Sequence, residues 1–589
     1  MPGSNDSSSG SNGSNTKPVR HVDYSLWRDP SPPSRRFLDN IQGRVLDPAT
    51  ALTIDGIRPF PTVYIGPRIL ISKRPGWERQ LERLNAVAAG LGWALTEDAS
   101  EPTPEPPKNR RVVESGRLIP PAILERLQML DVVRLTVSVP GGAPDPAREA
   151  PLAPDGWVLL QNARIKYGIE EMRGVGLDHV MFIRSIDPSP YHDSNPYHDS
   201  NPYHDSNPVS SGSGAVATYG LPGFGGRQPV AYVGPSLPRC GDDEVAGRRP
   251  VVAVLDTGCG DHDWLDGIVR RDVRCGVQEI GYTDEASDPE RYPDQTGALD
   301  GGIDPLAGHG TFICGLIRQA CPDADILAWR VVGSDGPIVE SALVSSLRLI
   351  AELVWRALGD PTNPDEPQID VLNLSMGYYH ETPTDQQFDS TMYEILRLIA
   401  EAGTTVVCSA GNDATARPMF PAAFVPWLDG KGGFRAEPDL AAPLVSVGAL
   451  NPNGSTDALF SNTGPWVRCY EKGAAVLSTI PAWDGGLQAV AAVEAYQRQR
   501  SAIDPDDFRG GFAVWSGTSF SAPLFAGKVA EALHRDGVPA RETTGTAEES
   551  AAAARQRAWA ATRSLADVES VAPRKGRNRY ADMWKHTLG

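Results

Sequence analysis

Gly517-Thr518-Ser519-Phe520-Ser521-Ala522-Pro523 is the stretch on which the reading of this chain turns. An isolated Ser-Thr cluster ahead of an apolar helix is ordinarily a helix cap. Here Gly517 permits close backbone approach, and Pro523 suits the first turn of a helix expected from about Ser521 to His534, where a missing N–H has no partner. The start of that helix would place free N–H groups and positive potential beside Ser519, where an oxyanion would form. Upstream lie Asp256-Thr257-Gly258 and Gly308-His309-Gly310-Thr311. A strand-end aspartate, a histidine between glycines and a serine at a helix entrance are the components of a serine-nucleophile relay, in the order Asp, His, Ser.

Each component has a plain alternative that the others displace. His309 has none of the bulky neighbours of a core histidine, and a neutral imidazole at a helix start can take the serine proton and return it to a leaving amine. Asp256 ends the apolar run Val251 to Leu255, where an unpaired carboxylate would be costly; a histidine N–H offsets that cost and fixes the tautomer. Asp-Thr-Gly after a strand also fits an aspartic peptidase. That chemistry needs a second carboxylate loop, which this chain lacks, and leaves His309 and Ser519 unexplained. Asn412, in Ser409-Ala410-Gly411-Asn412, reads alone as a turn residue; beside such a relay it becomes a side-chain donor to the oxyanion.

Together, Val-Ala-Val-Leu-Asp-Thr-Gly, Gly-His-Gly-Thr and Gly-Thr-Ser-x-Ser-Ala-Pro resemble the subtilases, the subtilisin-like serine endopeptidases, over about residues 249–538. The resemblance implies an α/β three-layer fold with a mainly parallel sheet, Asp256 as orienter, His309 as general base and acid, Ser519 as nucleophile and Asn412 in the oxyanion hole. Leu374-Ser375-Met376-Gly377 matches the segment that pairs with an extended polypeptide substrate, making Ser375, Met376 and Gly377 substrate-binding, with Ala410 and Gly411 opposite. Met419, before Phe420-Pro421, stands where the family often has a small residue at the pocket base, and predicts a shallow pocket for small or medium apolar side chains. The sedolisin branch shares the serine loop but replaces the histidine by glutamate, so Gly308-His309-Gly310-Thr311 argues against it. A catalytically silent, peptide-binding scaffold is the rival class; four competent residues at four positions disfavour it.

The alternation of strand and helix patterns from about Pro250 independently predicts a parallel sheet covered on both faces, with sites at the strands' carboxyl ends. Before it, Val63 to Ile183 reads as a small α/β unit with a helix at Trp77 to Trp93 and short strands at either end. The expected organisation is a disordered stretch at 1–20, a small α/β domain at 21–185, a linker at 186–248, the catalytic domain at 249–540 and a helical extension at 541–589. The small domain fits an intramolecular inhibitor or a recruiting module. The linker contains three Pro-Tyr-His-Asp-Ser-Asn repeats, read as low complexity rather than a metal chelator. An insert at Trp483 to Phe512 carries a helix-like run, Ala489 to Gln499, and an acidic run, Asp504 to Asp507. Surface elaboration is the preferred reading, with calcium binding the alternative; the reaction itself requires no cofactor.

Bulk properties set the outer limits. A length of 589 residues implies two or three folding units. The formal charge of −19 argues against a nucleic-acid partner, and no apolar run is long enough for a membrane span. Seven scattered cysteines without a Cys-x-x-Cys pair read as free thiols, an isolated Cys259–Cys275 bridge being the alternative. With no signal-peptide pattern at Met1 to Thr16, the expected compartment is the cytoplasm.

Overall fold

The computed structural model describes residues 27–30, 33, 35–54, 58–98, 118–140, 152–183, 214–221, 223–297, 301–334, 336–382, 391–425, 439–484, 493–501, 508–540 and 545–568. The expected disordered N-terminus, the hexapeptide repeats and the Asp504 to Asp507 run lie outside them.

The N-terminal part runs β1 (Val63–Ser72), α1 (Trp77–Gly90), β2 (Ala94–Glu97), α2 (Pro121–Met129), β3 (Val132–Ser138), α3 (Gly156–Tyr167) and β4 (Val175–Phe182). Val132 to Ser138 alternates buried and half-buried positions, the pattern of a strand with one face turned to the core, whereas Val175 to Met181 is buried throughout. The order β4-β1-β3-β2, all antiparallel, with helices in the β1–β2 and β3–β4 connections, is the split β-α-β arrangement of ferredoxin-like folds. Asp155 caps α3 by accepting from the Val158 amide at 3.1 Å. Leu84, Ile69, Ile71, Leu135 and Leu160 share its core.

The larger part contains β5 (Val251–Asp256), α4 (His309–Ala320), β6 (Asp325–Arg330), β7 (Pro337–Val339), α5 (Glu340–Gly359), β8 (Val371–Leu374), α6 (Thr391–Glu401), β9 (Thr405–Ser409), β10 (Leu444–Leu450) and β11 (Cys469–Lys472). These are followed by β12 (Val476–Thr479), β13 (Phe512–Trp515), α7 (Thr518–Asp536) and α8 (Ala547–Val568). Among the described residues the main sheet is seven-stranded and wholly parallel, ordered β11-β10-β9-β8-β5-β6 with Val269–Arg270 at the edge. Strands buried on both faces explain the unbroken apolar runs such as Val251 to Leu255.

The two parts share one sheet and one core. β4 pairs antiparallel with β7, Met181 opposite Ile338, so the small sheet continues into the large domain. Ile119, Leu127, Met181 and Ile183 fall in the same buried cluster as Ile338, Leu343 and Met376. Asp178 of β4 accepts from the Ser341 amide at 3.0 Å and hydroxyl at 2.9 Å, so a carboxylate of one part satisfies the first turn of α5 in the other.

Three local expectations are corrected. α7 begins at Thr518, not near Ser521, so Pro523 lies inside the helix rather than in its first turn. The missing Pro523 N–H releases the Ser519 carbonyl, which accepts the Ser375 hydroxyl at 3.0 Å instead. The described part of the helix-like run in the insert is a hairpin, Val493–Ala495 with Arg498–Arg500, turning at Tyr496 and Gln497 with φ of 50° and 61°. Positive φ at both central residues is the primed-turn geometry that joins two strands. Third, residues 214–221 and 223–248 are laid onto the large domain. Gln228–Pro229 pairs with β13, and buried Arg227 donates to the Ala307 and Asp304 carbonyls, each at 2.8 Å, over the Trp515 ring.

Candidate active site

The carboxyl ends of the parallel strands bring the expected residues together. Asp256 ends β5, His309 opens α4, Asn412 follows β9 and Ser519 lies in the first turn of α7. Asp256 Oδ1 accepts from His309 Nδ1 at 2.7 Å, with both residues fully buried. The Thr257 amide also donates to Asp256 Oδ1, at 2.9 Å. The glycines around His309 have a steric cause: Gly308 has φ 79°, and a Cβ on Gly310 would lie 2.0 Å from the Gly258 carbonyl oxygen.

The serine arm is turned aside in this conformation. Ser519 Oγ donates to the Ser375 carbonyl at 3.3 Å, and His309 Nε2 is buried without a hydrogen-bond partner among the described residues. Phe520 and Trp515 pack against the imidazole at 5.2 and 5.6 Å between ring centroids. Among the described residues no hydrogen bond joins Ser519 to His309, and bonds of this kind commonly tighten only with substrate bound.

Asn412 is oriented by the serine loop itself. Its Oδ1 accepts from the Thr518 amide at 2.9 Å and the Thr518 hydroxyl at 2.8 Å, while that hydroxyl accepts from the Gly411 amide at 3.0 Å. With its oxygen engaged, the Asn412 amide group is the donating end beside Gly517.

A cavity of about 240 Å³ adjoins Ser519, walled by Ser375 and Gly377 on one side and by Gly411 and Asn412 on the other. Met419 fills the slot between the walls: a Cβ on Gly377 would meet its Cε, and one on Gly411 its Sδ, each at 2.6 Å. Met376 and Ala410 are buried and do not line the cavity, because alternation along an extended chain turns Met376 into the core. Sequence reasoning missed two carboxylates there, Asp413 beside Asn412 and Asp29 from the N-terminal part. Asp29 is held by buried Arg417 at 3.3 Å, whose guanidinium also faces Phe60 and Tyr379. No local motif marks Asp29, because its partner is distant in sequence.

Phe182 exchanges both backbone hydrogen bonds with Gly377, N–H to carbonyl at 2.9 Å and carbonyl to N–H at 3.1 Å. The end of β4 therefore lies between β7 and the segment expected to pair with substrate. Just before it, His179 is enclosed between Glu340 at 2.6 Å and Glu381 at 2.7 Å. Burial opposes its charge, but the Glu381 and Glu340 carboxylates outweigh burial and hold the imidazole up to about 10. Neighbouring His380, buried and without that enclosure, is pushed down to about 3.

Among the described residues two groups have the composition of metal ligands. His179, His380 and Glu381 bring ligand atoms within 4.8 Å of one another, but there the two ring nitrogens of His179 are already engaged, Nδ1 donating to Glu340 and Nε2 to Glu381. Cys240, Asp323 and His534 surround a carboxylate already paired with Arg249 at 2.9 Å. All seven cysteines are free thiols, six of them buried. Cys259 hydrogen-bonds with Cys314, not with Cys275.

The parallel sheet thus carries a buried aspartate–histidine pair at its carboxyl edge, with a serine at the entrance of the adjoining helix. A model of the Subtilase family matches residues 247–567, and the chain belongs to that family. It is 25% identical over 213 residues to the subtilase-type proteinase RRT12 of Saccharomyces cerevisiae, covering 35% of this chain and 38% of that protein. It is 25% identical over 315 residues to an extracellular protease of Xanthomonas campestris pv. campestris, covering 49% and 44%. The chain thus spans less than half the length of either relative. Among solved structures, fervidolysin of Fervidobacterium pennivorans, a keratinolytic enzyme related to subtilisin, aligns at 18% identity and TM-score 0.39 over 82% of this chain and 56% of that one. A cold-adapted subtilisin-like serine proteinase aligns at 19% identity and TM-score 0.30, over 53% and 82%.

Proposed function

We propose that the chain is a serine endopeptidase that cleaves polypeptides through an acyl-enzyme on Ser519. His309 takes the Ser519 proton and delivers it to the leaving amine, and Asp256 holds the imidazole in the right tautomer and stabilises its cation. The Asn412 amide and the backbone N–H of Ser519 in the first turn of α7 receive the developing oxyanion. The observation that carries this reading is the buried 2.7 Å Asp256–His309 pair beside a helix-entrance serine. An extended substrate pairs with Ser375 to Gly377 as an added strand, and Met419 limits the first side chain to small or medium size. No step draws on a cofactor. The free thiols favour a reducing compartment, the cytoplasm in the first instance.

The N-terminal part is proposed as an intramolecular inhibitor. Phe182 already occupies the hydrogen-bonding edge of Gly377 that a substrate strand needs, and Met181 and Ile183 are buried beside it. Fluorophosphonate labelling tests both statements. Expected are a covalent adduct on Ser519, none in Ser519→Ala, and faster labelling once the chain is cut between Ile183 and Val251. A folded chain that never labels, cut or uncut, would overturn the peptidase reading. Equal rates before and after cutting would overturn the inhibition.

A further inference from the structure

The site contains a buried carboxylate that the relay itself does not call on. Glu290 lies in the loop between β5 and α4, 3% exposed, directly behind the Asp256–His309 pair. Its Oε1 accepts from the Thr257 hydroxyl at 2.5 Å and the Gly310 amide at 3.2 Å, and its Oε2 accepts from the Thr311 hydroxyl at 2.5 Å. These three donors are the residue after Asp256 and the two residues after His309. The same hydroxyls tie the frame further: Thr257 Oγ1 accepts from the Gly310 amide at 2.8 Å, and Thr311 Oγ1 from the Gly260 amide at 2.7 Å. One side chain therefore joins the aspartate loop to the histidine helix.

We propose that Glu290 is a positioning residue for the reaction, acting on the aspartate–histidine pair through the hydroxyls of Thr257 and Thr311. The coupling follows from counting hydrogens. Thr257 has one hydroxyl hydrogen and two acceptors in reach, Glu290 Oε1 at 2.5 Å and Asp256 Oδ1 at 3.2 Å. When Glu290 is ionised, that hydrogen belongs to Glu290. When Glu290 is protonated, its own O–H donates to Thr257, and the Thr257 hydrogen is free to turn to Asp256. The state of Glu290 thus decides whether the oxygen that holds His309 carries an additional hydrogen bond, which weakens a carboxylate as a partner for an imidazolium. Burial pushes the Glu290 carboxyl up to about 7 against the pull of the two hydroxyls, so both states are accessible near neutrality. The titratable groups facing it are Asp288, Asp256 and the Cys259–Cys314 thiol pair, with the Arg271 guanidinium against Cys259.

This inference rests on the peptidase reading, and the test separates the two. Wild type, Glu290→Gln and Glu290→Leu are compared in the full chain by fluorophosphonate labelling and peptide hydrolysis from pH 5.5 to 9, with Ser519→Ala as blank. Leu removes every acceptor. It is expected to lower kcat by roughly 30-fold or more with KM changed less than about threefold, a loss confined to the transition state. Gln keeps the shape and one oxygen but no charge. It is expected to lose less, and to move the acidic limb of kcat/KM to lower pH, because less negative charge then supports the His309 cation. Where Leu fails to fold, the pH limb of Gln decides. An unchanged limb with rates within twofold of wild type overturns the role of Glu290; a wild type that neither labels nor hydrolyses, uncut or cut between Ile183 and Val251, overturns the underlying reading instead.

Discussion

Raising the pH should loosen the N-terminal part from the large domain, and His179 sets the size of the effect. Docked, its imidazolium lies between Glu340 and Glu381 and loses its proton only at about 10; free, it has the ordinary value of 6.5. A group whose value is raised on docking contributes fully below 6.5, and its contribution is lost as pH climbs toward 10. Across that window the docking constant falls by up to about tenfold per pH unit, or about 1.4 kcal/mol. From pH 6.5 to 8.5 this amounts to roughly 50-fold, the first unit counting for less because the free imidazole is still half charged at 6.5. The other groups facing His179 confine the effect to the alkaline side. Buried His380 is held neutral, and Glu381, although burial raises it, is kept well below its usual 4.5 by His380 and His179, so its contribution fades only in acid. Arg164 and Arg417 add fixed positive charge near Glu381 and His380. The assay is the rate of fluorophosphonate labelling of the uncut chain, wild type against His179→Gln, at each pH. Any pH dependence of the labelling chemistry itself is common to both and cancels in the ratio. At pH 6.5 the variant should label about 100-fold faster or more, since one partner of a buried charged cluster is gone. The gap should narrow by up to about tenfold per unit as pH rises to 8.5. A ratio constant within twofold from pH 6.5 to 8.5 would refute the reasoning.

Two further substitutions test the cleft. Asn412→Asp keeps the oxygen that accepts from Thr518 but loses the donating amide, so kcat should fall about 100-fold or more with folding intact by circular dichroism; full activity would show that the backbone donors suffice. Met419→Gly empties the slot between Gly377 and Gly411, and kcat/KM for peptides with Leu or Phe before the cut should rise about tenfold relative to Ala. An unchanged preference would place the size limit elsewhere in the cavity.

Much of the geometry of the candidate site was legible because the constraints are local. Gly310 can only be glycine where its Cα meets the Gly258 carbonyl, and a left-handed Gly308 leaves a signature beside the histidine that needs it. An apolar strand ending in Asp256 announces its own position at the sheet edge. Elsewhere local pattern misled. Ala, Glu and Gln between 489 and 499 carry helical propensity, yet the described residues pair as a hairpin, since strand pairing outweighs small intrinsic preferences. Arg227 sits in a glycine-rich run that reads as linker; it is buried because the Ala307 and Asp304 carbonyls and the Trp515 ring offer it partners no sequence window contains.

The sequence by itself determined the parallel fold and which four residues stand at its carboxyl edge, because turn glycines, strand runs and the serine loop are short-range requirements of the backbone. Only the tertiary structure decided what surrounds them: Glu290 bridging the loop of Asp256 to the helix of His309, His179 enclosed by two glutamates of the other part, and Phe182 on the edge of Gly377. Those contacts join residues far apart along the chain. Their energy comes from burial and charge pairing that exist only once both parts are packed, and so leave no periodicity or motif in the sequence to read.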